Sequence, residues 1–208
     1  MLETTLEVVA QRGFEEASLA AIARKLGVTA PLLIYHFASK DNLWRESIEL
    51  SFHRLAVVVE SAVEDGAKLT GDEAFGTLIR RLVYYFAQHP ELHRIISHEA
   101  ACPGLRLDWL VEHHLGAVFA QIEAVYRRGA EEGGLKSAPA DYAIFAILGA
   151  VSNYLNSQAL VAALYPGSGL DRTKLDDYAN WVVDICFNGL ASDNTQKGQL
   201  LPRLEAAV

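Results

Sequence analysis

Cysteine is nearly absent: Cys102 and Cys186 are the two in the chain, far apart and without a Cys-x-x-Cys spacing. That excludes a disulfide scaffold and a cysteine-based zinc or redox motif. Buried thiols in a reducing compartment are the simplest expectation. No apolar run reaches the roughly 18 residues a membrane span requires, and no basic-then-apolar signal pattern opens the chain. A cytoplasmic location without membrane contact is expected. Positive charge is scarce too. The net charge is −8, which argues against coating nucleic acid by electrostatics alone. Residues 1–55 hold six Lys and Arg against seven Asp and Glu, a net of −1, so phosphate contacts there must rest on a few placed groups. Internal repeats, low-complexity tracts and strand patterns are missing. So is any set of nucleophile, base and orienting residue, and neither an enzyme nor a cofactor is implied.

What is present is helix. Hydrophobic residues make up 51% of 208, enough for one or two domains with a real core. Leu2, Leu6, Val9 and Ala10 recur at helical spacing and stop at Gly13. Ser18 is a good N-cap for a helix over 19–26, with Leu19, Ile22, Ala23 and Leu26 as its stripe. Gly27 ends it, Val28 plugs the turn, and Thr29 caps a third helix with Pro31 in its first turn. Ser39 caps a fourth helix running past Trp44, Ile48, Phe52 and Leu55 towards Gly66. Gly71–Asp72 separates it from the stripe Phe75, Leu78, Ile79, Leu82, Val83 and Phe86, which His89–Pro90 ends. Further helices are expected over 92–101, 107–132, 140–164 and 172–190, nine in all. The fold class is all-α: a three-helix head, a long connecting helix and a larger helical body. The divisions are 1–45, 46–192 and a loosely ordered tail, 193–208.

The stretch from Phe14 to Leu43 resembles the DNA-binding head of the TetR-type (tetracycline-repressor-like) transcriptional regulators. The matching pieces are GFEEASLAAIARKLGV, Pro31, Leu33, Tyr35-His36-Phe37 and Ser39-Lys40-Asp41-Asn42-Leu43. The resemblance implies a helix-turn-helix homodimer on a near-palindromic, double-stranded DNA operator, with half-sites about 34 Å apart. A small-molecule effector in the body would change the spacing of the heads. Residue by residue, it places backbone N–H groups of Ser18 and Leu19 at a phosphate. It makes Lys40 a phosphate clamp, puts Tyr35 and His36 on the DNA backbone, and leaves Thr29, Ala30 and Leu32 facing the bases. Ile34 stands where the family usually has a tyrosine, and Leu32 where Ser, Thr or Asn is common. Base reading therefore leans on apolar contact, as with a thymine methyl. The chain also begins at the first helix, where a basic arm often precedes it in the family.

The body is rich in aromatic and histidine residues. Effector pockets are mostly apolar with a few polar anchors, and Trp109, His113, Phe119, Phe145 and Asn153 are the candidates; the plain alternative is that such aromatics are core. His98, Glu99, His113 and His114 have metal-donor types, but neighbours on a helix point about 100° apart, which argues against a shared ligand sphere. No metal is implied. Ala146, Gly149, Ala150 and Asn153 form a small-residue stripe, with Trp181, Val182, Ile185 and Cys186 as a partner stripe. The resemblance implies that Ala146, Gly149, Ala150, Trp181, Val182 and Ile185 lie in a four-helix dimer interface; burial within one monomer is the alternative. The expected function is a ligand-responsive repressor that releases its operator when the effector binds. The alternative is a degenerate member acting as a small-molecule binding or interaction protein without specific DNA binding.

Overall fold

A computed structural model of the chain describes residues 1–190. The expected tail, 193–208, lies outside the described residues. Every regular element among the described residues is helical, as an all-α fold requires. The head comprises α1 (Leu2–Glu16), α2 (Leu19–Leu26) and α3 (Ala30–Phe37). The helix α4 (Lys40–Gly66) starts in the head and runs into the body. There follow α5 (Gly71–Gln88), α6 (Pro90–Ala101), α7 (Leu105–Leu110), a π-helical turn (Val111–Leu115), α8 (Gly116–Glu131), α9 (Ala140–Asn156), α10 (Gln158–Leu164) and α11 (Arg172–Leu190).

Local chemistry explains most boundaries. The Ser18 hydroxyl accepts from Ala21 N at 3.1 Å and the Ser39 hydroxyl from Asn42 N at 3.1 Å, satisfying helix-start donors that otherwise lack partners. Gly27 ends α2 in the left-handed conformation, φ 70°. Gly13 breaks α1 at φ 76°, ψ 161°, a backbone region nearly restricted to glycine.

Several expectations need correction. Thr29 stands at the N-cap of α3, but its side chain makes no capping bond. Gly71 is the first residue of α5 rather than a separator. Thr70 caps the helix, its N–H donating to Glu73 Oε2 at 3.1 Å. The helix starts there because Gly71 packs on α8: a Cβ at Gly71 would lie 2.5 Å from Gly129 N. The helix expected over 107–132 begins at Leu105 and carries the π-turn. The helix expected over 140–164 is two helices, bent by 65°. At the bend the Asn156 amide donates to Ser152 O (2.9 Å) and the Ser152 hydroxyl to Leu148 O (2.6 Å). Such side-chain bonds compete with the helix ladder. Among the described residues, eleven α-helices and a π-turn therefore stand where nine helices were expected.

The core runs along α5, which α4, α8, α9 and α11 surround. Its predicted stripe, Phe75, Leu78, Ile79, Leu82, Val83 and Phe86, is buried throughout. Each such side chain contributes about 1.5–3 kcal/mol by leaving water. The head joins the body through α4, through α6, which packs across α1, and through Arg106 of α7, which bonds Glu15 of α1.

Candidate nucleic-acid interface and head–body junction

Leu33, fully buried, anchors α3 to the head. Most of α3 faces outward: Pro31, Leu32, Ile34, Tyr35 and His36 are exposed, Tyr35 at 82%, as is the N-cap Thr29, while Ala30 and Phe37 are half-buried against the core. The Tyr35 and His36 rings meet edge to face, with centroids 5.3 Å apart. Ser18 is exposed at the start of α2, and Leu19 is half-buried. Ala38, between α3 and α4, has φ 62°, a strained conformation for a residue with a Cβ.

Lys40 is already engaged. Its ammonium donates to Glu15 O at 3.3 Å and sits 4.2 Å from the Phe14 ring centroid. The Arg106 guanidinium carbon lies 4.2 Å from the same ring, so one aromatic side chain of the head binds a cation from α4 and one from α7. Arg106 Nε donates to Glu99 Oε1 and Oε2 at 3.2 and 3.1 Å, and Nη2 to Glu15 Oε1 at 2.8 Å. Burial opposes the Arg106 charge, but Glu15 and Glu99 outweigh it and raise its pKa above the ordinary arginine value. His98 lies against the break in α1: a Cβ at Gly13 would fall 2.7 Å from its imidazole.

Of the five effector candidates, Trp109 alone lines a cavity among the described residues. Trp109 packs on Trp44 (5.4 Å) and His113 (5.2 Å) and lines a cleft of about 330 Å³ between α4, α6 and α7. His113 is exposed, its Nδ1 3.0 Å from Trp109 O. Phe119 and Phe145 touch, centroids 5.5 Å apart, but Phe145 is 64% exposed. Asn153 is exposed on α9. The separation follows from helix geometry, because Phe145 and Asn153 project from the outer side of α9 while Trp109 faces α4. His114 stacks on Phe52 at 4.6 Å, and burial lowers its pKa. Among the described residues no three metal-donor side chains cluster.

On α9 and α11 an apolar surface is left uncovered. Tyr142, Phe145, Ala146, Gly149, Trp181 and Ile185 are exposed and Ala150 half-buried. Val182 is a correction: it is 0% exposed and belongs to the monomer core, because α11 turns that side towards α5 and α9. Cys186 is buried with it, and burial pushes its thiol up to about 11. Cys102, expected to be buried, is exposed at the end of α6.

The sequence profile of bacterial regulatory proteins, tetR family, matches residues 1–46. That of the tetracyclin repressor-like C-terminal domain matches residues 72–186, more than half of the chain. The protein belongs to the TetR family. No curated protein sequence matches it at a significant level. Solved structures share the fold of this TetR-family chain. The TetR-family transcriptional regulator PfmR of Thermus thermophilus is 19% identical over 92% of this chain and 98% of its own, with a TM-score of 0.68. The fatty acid degradation regulator FadR of Bacillus halodurans is 17% identical over 91% and 97%, TM-score 0.64. A TetR-like transcriptional regulator from a Rhodococcus species is 18% identical over 92% and 94%, TM-score 0.62.

Sequence reasoning about this TetR-family chain missed Arg45, Arg106 and Tyr142. Arg45 and Arg106 read as ordinary surface charge, and only the fold brings them to one cleft. Tyr142 stands one helical turn before Phe145 and Ala146, so extending that stripe backwards finds it. Among the described residues no single helix is long and apolar enough to cross a membrane.

Proposed function

We propose that this TetR-family chain is a homodimeric regulator of transcription that binds a double-stranded DNA operator, and a repressor that lets go when a small molecule binds the body. The recognition helix α3 carries the proposal. Leu33, with Ala30 and Phe37 half-buried beside it, holds a helix whose Pro31, Leu32, Ile34, Tyr35 and His36 are offered to solvent, in a turn built by Ser18, Gly27 and Ser39. Thr29, Ala30 and Leu32 face the bases, where Leu32 suits a thymine methyl. Tyr35 and His36 reach the DNA backbone, and N–H groups at Ser18 and Leu19 meet a phosphate. Lys40 becomes a phosphate clamp by leaving the Glu15 carbonyl. The exposed faces of α9 and α11 form the dimer contact.

We assign residues 1–45 to the head and 46–192 to the body, with α4 continuous across that line. A helix of 27 residues is about 40 Å long, so a small tilt at its body end displaces the head by several ångströms. That is enough to break the register of two half-sites. Footprinting on the DNA flanking its own gene tests the proposal. The expected result is a near-palindromic protected site with half-sites about one helical turn apart. Absence of any protected site at low salt overturns it.

A further inference from the structure

We infer that the cleft between head and body binds a small organic carboxylate with a flat apolar portion, and that its occupancy is what releases the DNA. The second clause rests on the regulator proposed above; the first stands on the cleft alone.

The cleft holds about 330 Å³, at the small end of ligand sites. Its walls come from both halves of the molecule: Trp44 and Arg45 at the start of α4, Cys102 after α6, and Arg106 and Trp109 on α7. Three donors there lack a partner. Among the described residues, the Arg45 guanidinium touches only the face of Trp109, 4.9 Å from its centroid. A guanidinium stacked on a ring keeps its N–H edges free for a bidentate acceptor. Arg106 spends Nε and Nη2 on Glu99 and Glu15, leaving Nη1 open. The Trp44 indole N–H is buried without an acceptor, in a side chain only 1% exposed; buried donors nearly always find one.

Two carboxylates also line the cleft. Glu99 is paired with Arg106, which also holds Glu15, and Asp41 sits in the first turn of α4, where the helix N-terminus favours its charge. Unspent donors still outnumber unspent acceptors. A carboxylate matches them, and the half-buried Trp109 indole, which lines the cleft, matches an apolar body. A ligand held this way touches α4 just after the recognition helix and α7 in the body, so it resets the angle between them.

Cys102 provides the readout, since it is exposed in the cleft while Cys186 is buried. Labelling of the full chain by N-ethylmaleimide, a neutral reagent, is followed by mass in the presence of benzoate or phenylacetate, with the matching amides as neutral controls. At ten times its dissociation constant an acid leaves about one cleft in eleven free. At least one acid is therefore expected to slow Cys102 labelling about tenfold, its amide is not, and Arg45→Gln and Arg45→Lys each lose the protection with unchanged thermal unfolding. The inference is overturned when no acid protects, when an amide protects equally, or when both Arg45 variants are protected like the parent. Operator affinity is measured on the same samples. Failure of the ligand-free protein to bind any DNA removes the regulator proposal and leaves the labelling result standing. Protection that leaves operator affinity unchanged removes the second clause alone.

Discussion

Arg106 donates from one nitrogen, Nε, to both carboxylate oxygens of Glu99, at 3.2 and 3.1 Å, and so holds the buried acid of α6 against the start of α7. The same guanidinium continues to Glu15 on α1. One side chain thus ties the body to the head.

Arg106→Ala strands the Glu99 carboxylate in a dry site. Removing one partner of a buried ion pair costs about 3–5 kcal/mol, and the 30% exposure of the Arg106 side chain places this case at or below that range, about 2–3 kcal/mol. Urea unfolding checks it. The double variant Arg106→Leu/Glu99→Leu recovers most of the loss, because two apolar side chains leave no charge unpaired.

Two positive-φ residues of the head, Gly13 and Ala38, respond in opposite directions. Gly13→Ala adds a Cβ 2.7 Å from the His98 ring at φ 76°, costing about 3 kcal/mol or more. Ala38→Gly relieves the strain at φ 62° at some cost in unfolded-state entropy, for a net gain of about 0.5–1 kcal/mol. Midpoints of denaturant unfolding rank the two variants against the parent.

Acid weakens the fold through His93. Its ring joins Ser152 (2.8 Å) and Asn156 (2.9 Å), and burial, aided by Arg94, holds its pKa below the ordinary value. The unfolded chain therefore takes up a proton first. Stability is intact above the unfolded pKa of about 6.5 and falls as pH drops from there to the depressed folded value. His114 has the same sign. Unfolding free energy measured between pH 8 and pH 5 shows this slope, and His93→Gln flattens it.

Charge on the outer stripe separates assembly from folding. Trp181→Asp and Phe145→Asp yield a folded monomer by analytical ultracentrifugation, because both side chains are exposed in the protomer (58% and 64%). Val182→Asp, one residue along, loses the fold itself. A dimer that survives Trp181→Asp combined with Phe145→Asp argues against this interface.

How much was legible from the residues depends on range. Ser18, Ser39 and Gly27 announced their helix ends correctly because caps and positive-φ turns act within a few residues of chain, whereas Gly13, expected to end α1, breaks it and helix resumes to Glu16. The break after Asn156 carries no proline or glycine, and it depends on side-chain bonds that only become visible in place. Helical spacing put Trp181, Val182 and Ile185 on one stripe, but spacing does not say which edge of that stripe meets its own monomer. The head was readable as a motif. The cleft was not, since Arg45 and Arg106 lie far apart in sequence and meet only through the packing of α6 across α1.

The central claim is that α3 reads a DNA sequence, and fluorescence polarisation with a labelled duplex from the flank of its own gene tests it most directly. Saturable binding that resists unrelated duplex competitor is predicted, with affinity falling steeply as salt rises and dropping at least tenfold in Tyr35→Ala with circular dichroism unchanged. Equal competition by unrelated duplex, or Tyr35→Ala binding like the parent, contradicts it.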